Sequence, residues 1–284
     1  MSDYIDTLLA QLDIIPPMPE TSVRLTQLLS DSSSASMEEI ASTIQYDPSL
    51  TVELLKICNS AYFSFDPKVT TVKDAIKRLG TNKIFQMVMA TSSRKALDRE
   101  LNGYGMPLGA LWSQSILCGA ASKKINLALR EGHPDIAFTC GLLADIGKVA
   151  MHQLVHQNRE QLFGGLKQGN APYDQIEAQF FGINHAELGS RLAERWKMPP
   201  AIIDAIRYHH NPAHAPEETR PIVECVYLGS ILAMQAGLGL GHDGMYYSGP
   251  DDIDNTYGLN SSDIENISSQ TLEEFFEIKT LFGQ

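Results

Sequence analysis

Helix-making signals recur along this chain, and strand-making signals do not. Apolar residues spaced three and four apart mark residues 4–12, 23–29 and 37–44. "SMEE" (Ser36 to Glu39) has the spacing of a capping box, in which serine and glutamate side chains each accept a backbone N–H at a helix start. "DPSLTVELLKICNSA" offers Asp47 as an N-cap and Pro48 at the first helical position, where its missing N–H costs nothing. "TTVKDAIKRLG" opens on threonines and stops on Gly80, and a further helix is expected over about 82–97. No alternating segment of useful length competes with these patterns. The chain reads as all-α.

"LNGYGMP", residues 101–107, is a Gly/Pro break and the expected boundary between two packed helical subdomains, 1–100 and 101–240. Beyond it, "LGALWSQSILCGAASKKINLAL" reads as a long helix rich in small residues, and "GHPDIAFTCGLLADIGKVAMHQLV" as another. "PYDQIEAQFFG" is shorter. "NHAELGSRLAERW" has Asn184 and Glu187 in capping-box spacing, paired prolines enter "PPAIIDAIRYHH", and "RPIVECVYLGSILAMQAGLG" closes the series. Residues 237–270 are rich in Gly, Asp, Ser and Asn and are expected to form a long surface loop. In the segment 241–284 a terminal helix then docks back through Leu272, Phe275, Phe276, Ile278 and Leu281.

The formal charge of −12 argues against binding to a phosphate backbone. It is uneven: residues 242–284 carry one basic and nine acidic side chains. The basic-leaning stretch Lys73, Lys77, Arg78, Lys83, Arg94 and Lys95 reads as a solvated helix face. No apolar run reaches about 18 residues, and the acidic N-terminus lacks the basic region of a signal peptide. A cytoplasmic protein with neither nucleic-acid nor membrane partners is expected. Cys58, Cys118, Cys140 and Cys225 lie in apolar helical stretches without a CxxC pair, so they read as buried free thiols. Trp112 and Trp196 read as core aromatics, and Asn59 and Ser60 as helix-end capping residues. "GLGLG" (237–241) follows a helix and lacks the lysine of a phosphate loop.

Chemistry concentrates elsewhere. In "GLLADIGKVA" (141–150) Asp145 interrupts an apolar run, and a carboxylate there needs a partner. A metal, Lys148 three residues on, or backbone donors would each serve. Six of the eight histidines fall between His133 and His210. His185 starts one expected helix, His209 and His210 end another as hydrated helix-end residues, and Asp145 lies on a third. Imidazoles and a carboxylate converging from separate helices are how bundle metal sites are built.

Several segments occur in the order found in a known family: "IIPPMPETSVRLTQLLSD", "IASTIQYDPSLTVELLKICNSAYFS", "VTTVKDAIKRLG", "LWSQS", "GLLADIGK", "HAELGSRLAERWKMP" and "AIRYHHNP". From about residue 12 to 240 the chain resembles the HDOD domain, the HD-related output domain of bacterial signalling proteins. The resemblance implies an all-helical fold related to the HD metal-dependent phosphohydrolases, with 101–240 as the HD-like bundle. That superfamily holds divalent metals with a His-Asp pair, further histidines and a distal aspartate. Its HD-GYP branch, which cleaves cyclic di-GMP, follows the pair with Ile-Gly-Lys.

Position by position, the resemblance puts the pair on Ala144 and Asp145, so its histidine is missing. The first-helix histidine falls near Gln114 and the distal aspartate near Ser230. Lys148 matches the lysine, and His185, His209 and His210 match histidines of the HD-GYP branch. A candidate residual metal set of Asp145, His185, His209 and His210 remains. Asp145 and Lys148 would be catalytic if any activity survived. Hydrolysis with two metals needs more ligands than these.

The expected function is therefore a non-catalytic signalling module working through contacts with a protein partner, with a small ligand in the old metal pocket as a further input. No cofactor is required, although zinc, manganese, iron or magnesium could still be held. No attached receiver or output segment is expected. A metal-dependent phosphohydrolase acting on a phosphodiester or nucleotide is the alternative.

Overall fold

Side-chain caps set the early helix starts. Ser36 and Glu39 form the reciprocal box that opens Met37–Gln45. Asp47 accepts the Leu50 N–H at 3.0 Å where Pro48–Cys58 begins. Thr71 caps Val72–Leu79, and Gly80 ends it with φ 81°, a conformation that favours glycine. The computed structural model describes residues 8–10, 12–31, 35–166, 171–247, 249–250 and 253–283. The helix expected over 4–12 falls mostly outside these residues.

Among the described residues there are fifteen α-helices and no strand. The first five are α1 (Glu20–Asp31), α2 (Met37–Gln45), α3 (Pro48–Cys58), α4 (Val72–Leu79) and α5 (Thr81–Leu97). Then come α6 (Ala110–Leu129), α7 (Pro134–Leu143), α8 (Gly147–Gln157), α9 (Arg159–Leu166) and α10 (Tyr173–Phe181). The last are α11 (His185–Arg195), α12 (Pro200–Tyr208), α13 (Arg220–Gln235), α14 (Ile253–Tyr257) and α15 (Ser261–Leu281). The fold is all-α.

Helix α6 is the central post, packed against α7, α13 and α15. It is buried nearly all round, including Trp112 and Gln114. One apolar cluster runs from Leu12 through Val88, Trp112 and Phe138 to Leu281, so it crosses the 101–107 break without interruption. That break is a tight turn closed by hydrogen bonds between Leu101 and Met106, and Tyr104 within it is buried. All four cysteines are buried and free, and Trp196 is buried as expected. No helix among the described residues is long and apolar enough to cross a membrane.

Two expectations need correction. The helix read across 132–155 is two helices, α7 and α8, joined by a turn at Ala144–Asp145–Ile146. Bonds from Ala144 to Gly141 and from Ile146 to Leu143 tighten the backbone there while its dihedrals stay right-handed, so the apolar period continues through the turn and hides it. Asp145 sits in this turn and not on a helix.

The second correction concerns 237–270. This segment contains a 3-10 turn, His242–Tyr246, then α14, and α15 already begins at Ser261 under an Asn260 capping box. Its apolar anchors, Leu259 and Ile267 with Ile253, Tyr257 and Ile264, are few and set among Gly, Asp, Ser and Asn, so composition hides them.

Candidate functional site

Gly147 brings the site together. A Cβ on it would lie 1.8 Å from the His185 carbonyl oxygen, so only glycine lets the starts of α8 and α11 touch. That contact sets Asp145 and Lys148 beside His185. Lys148 Nζ lies 3.0 Å from Asp145 Oδ1, and His185 Nε2 lies 3.4 Å from the same oxygen.

His185 is held from behind. Asn184 accepts the Glu187 N–H and starts α11, while Glu177 on the preceding α10 accepts the His185 backbone N–H at 2.9 Å. The same Glu177 oxygen accepts the His185 Nδ1–H at 2.6 Å, and its other oxygen accepts the Tyr104 hydroxyl at 2.6 Å. Glu177 and His185 are fully buried. With Nδ1 committed, only Nε2 faces Asp145 and His210. A carboxylate behind a histidine in this way is how metal-ligating imidazoles are oriented.

His209 and His210 follow the last turn of α12. His209 is buried, contrary to the hydrated helix end expected. Its Nδ1–H donates to the Ile206 carbonyl at 2.8 Å, which leaves Nε2 3.8 Å from Asp145 Oδ1. His210 Nε2 lies 2.9 Å from His185 Nε2. The Tyr247 ring stacks flat on His210, with centroids 4.3 Å apart and planes within 2°.

All five predicted residues thus converge. The three positions where the resemblance expects absent ligands can also be located. Gln114 Nε2 approaches Asp145 Oδ2 at 3.5 Å, Ala144 is buried in the turn, and Ser230 donates to the Tyr227 carbonyl. Ser230, His210 and Tyr247 also line a cavity of about 630 Å³ that carries Arg191 and Arg207 on its wall.

Sequence reading missed Glu177, Asp243, Tyr104 and Tyr247. Glu177 left a signal, because a carboxylate four residues after Tyr173 and beside Ile176 falls on the apolar face of α10. Asp243, 2.6 Å from Lys148 Nζ, left none: it is one of nine acids in a polar segment.

The electrostatics follow from these contacts. Burial opposes ionisation of Asp145, but Lys148 and the His185 and His209 rings outweigh it and hold its carboxyl well below the usual range. Burial also opposes the charge on His185, yet Glu177 and Asp145 raise its pKa to about 10. Burial and the neighbouring histidines push His210 well below the ordinary histidine value, so it is neutral and accepts from the His185 imidazolium.

The donor chemistry fits a cation. One ligand atom each from Asp145, His185, His209 and His210 lies within 4.8 Å of the others. Asp145 Oδ1 and His209 Nε2 are buried and make no hydrogen bond of good geometry, although the Lys148 ammonium lies 3.0 Å from that oxygen. Three imidazoles and one carboxylate suit zinc and other first-row transition metals better than magnesium. A divalent ion replacing the His185 proton would add positive charge beside Asp145 and Glu177.

Comparisons with known proteins place the chain in a family and a fold. The HDOD domain model matches residues 15–212, which include Asp145, Lys148, His185, His209 and His210 and exclude Asp243 and Tyr247. A Treponema pallidum protein of uncharacterised function is 25% identical over 270 residues, covering 94% of this chain and 50% of its own length. The chain therefore spans about half the length of that curated relative.

Among solved structures, an HDOD domain protein of unknown function from Geobacter sulfurreducens superposes with a TM-score of 0.71 at 21% identity, covering 98% of this chain and 99% of its own. A protein provisionally assigned to signal transduction, from Marinobacter aquaeolei VT8, gives 0.73 at 21% identity, covering 100% and 66%. A provisionally assigned phosphohydrolase from Shewanella amazonensis SB2B gives 0.68 at 21% identity, covering 97% and 97%. These similarities establish the shared helical fold, and with a family model matched over more than two thirds of its length, the chain belongs to the HDOD domain family.

Proposed function

We propose that this chain is a signalling module that hydrolyses no phosphodiester and holds a single divalent cation in its polar centre. One observation carries the reading. The two oxygens of Asp145 are divided between different neighbours, Oδ1 toward three imidazoles and Lys148, Oδ2 toward the Gln114 amide. Bridging a second ion needs a free carboxylate oxygen and a second ligand set. Positions 114, 144 and 230 offer an amide, a methyl group and a hydroxyl that is already donating. Among the described residues, Asp145, His185, His209 and His210 are the one group with metal-holding geometry.

In this reading Asp145 and the three histidines hold the ion, Glu177 orients His185, and Lys148 balances the neighbouring carboxylates. The ion supplies fixed positive charge where three carboxylates are buried. The adjoining cavity of about 630 Å³ would take a small ligand, and the output would be contact with a signalling protein. The assignment of the Marinobacter relative to signal transduction supports this class. The assignment of the Shewanella relative, together with the open cavity beside His210, supports the second reading, a phosphohydrolase with a reduced ligand set.

Melting curves of wild type and Asp145→Asn, each with EDTA and with Zn²⁺, test the proposal beside a phosphodiesterase assay supplied with Mn²⁺. Wild type should melt lower in EDTA and recover in Zn²⁺. Asp145→Asn should be insensitive to both and less stable by about 1–3 kcal/mol through its lost charged contacts. Neither protein should turn over substrate. Steady hydrolysis that disappears in His185→Ala would replace the module by the phosphohydrolase.

A further inference from the structure

The residues from Gly239 to Tyr247 cross the mouth of the centre and grip it at several points. The His242 N–H donates to the Tyr104 carbonyl at 2.7 Å, and the His242 ring lies where a Cβ on Gly105 would stand. Asp243 pairs with Lys148, each only 2% exposed. The Tyr247 hydroxyl accepts the Asp174 N–H at 3.0 Å while its ring covers His210. The strap residues themselves, 239–247, lie beyond the part of the chain that the family model matches.

We infer that this segment is a strap whose seating is coupled to filling of the centre, so that a cation at Asp145 tightens it and the strap in turn raises affinity for the cation. The inference rests on the single-ion reading above and adds its regulation. Lys148 is the first link. Its ammonium is shared between Asp145 Oδ1 at 3.0 Å and Asp243 Oδ2 at 2.6 Å. A cation on Asp145 takes up that carboxylate's charge and repels the ammonium toward Asp243. The strap can receive it, because Asp243 Oδ1 is buried with no hydrogen-bond partner.

His210 is the second link. Coordination through Nε2 fixes its ring and withdraws electron density from it, which favours stacking on the electron-rich face of Tyr247. Both links act in the same direction. Reciprocity then requires the strap to strengthen ion binding by the same factor by which the ion stabilises the strap. The outer side of the strap carries Met245, 84% exposed, so its seating changes the surface the molecule presents there.

Amide hydrogen exchange on the full chain, with EDTA and with Zn²⁺, reads the coupling at the His242 and Asp174 amides. Zinc titration by calorimetry reads it from the other side. Zinc should slow exchange at both amides about tenfold, and Tyr247→Leu and Asp243→Asn should each weaken zinc binding by a comparable factor. Tyr247→Leu strands no buried charge, so it serves if Asp243→Asn folds poorly. Zinc uptake by wild type with unchanged exchange at both amides would overturn the coupling and leave the ion reading intact. No zinc uptake by wild type would overturn the ion reading, and the coupling with it.

Discussion

Between Ser36 and Gly80, polar side chains find partners close by in the chain. Asp47 serves the Leu50 N–H, Thr71 serves Asp74, and Asn59 reaches ten residues to Val69. Around Asp145 the partners arrive from distant segments: Tyr104 meets Glu177 across 73 residues, and Lys148 meets an aspartate of the strap. The first region spends its polar groups on helix ends, where each acts nearly alone. The second assembles mutually dependent charges in a buried space, where losing one partner leaves the others uncompensated. Substitutions in the first should therefore be mild and independent, and those in the second severe and coupled.

Lys148 gives the largest expected break. Lys148→Met leaves Asp145 and Asp243 buried without their shared cation and should cost about 3–5 kcal/mol in EDTA-treated protein, measured by urea unfolding. Zinc should restore part of it by neutralising Asp145. A loss below about 1 kcal/mol would place this centre with ordinary surface ion pairs and erase the contrast.

A smaller effect isolates the proton on His185. Its folded pKa of about 10 lies above the ordinary value of about 6.5, so its stabilisation is fully present below pH ~6.5 and is lost as pH rises through about 10. Ion-free wild type should lose stability between pH 6.5 and 9. Glu177→Gln should lower stability at pH 6.5 by about 1.5–3 kcal/mol and flatten that slope. Equal slopes in the two proteins would show that another group holds the proton.

The smallest expected effect comes from the first region. Asp47→Ala removes one helix cap and should cost about 1 kcal/mol, independent of pH between 6.5 and 9 and of zinc. Any dependence on zinc would mean that the two regions are coupled through the continuous core.

Much of the helical framework was legible because its determinants are local. Ser36, Asp47, Pro48, Thr71 and Gly80 act within one turn, and apolar spacing reports the buried face wherever a helix continues. The same spacing concealed the turn at Asp145, since a tightened right-handed backbone keeps the period. Asp145, Lys148, His185, His209 and His210 were legible as residues that need partners or resemble ligands. The pairing of Asp145 with Lys148, three residues on, was legible too. The more distant partners Asp243, Tyr104 and Tyr247 were not, and Glu177 was marked only by its place on an apolar face.

By itself, then, the sequence determined an all-α chain, where most of its helices start and stop, and which polar side chains need compensation. Only the tertiary structure decided that Gly147 lets two helices touch, that Glu177 stands behind His185, and that Asp243 and Tyr247 return across the site. Helix caps are set by bonds spanning a few residues, so they can be read from neighbouring positions. Pairing of buried charges depends on which distant surfaces meet, and only packing of the whole chain determines that.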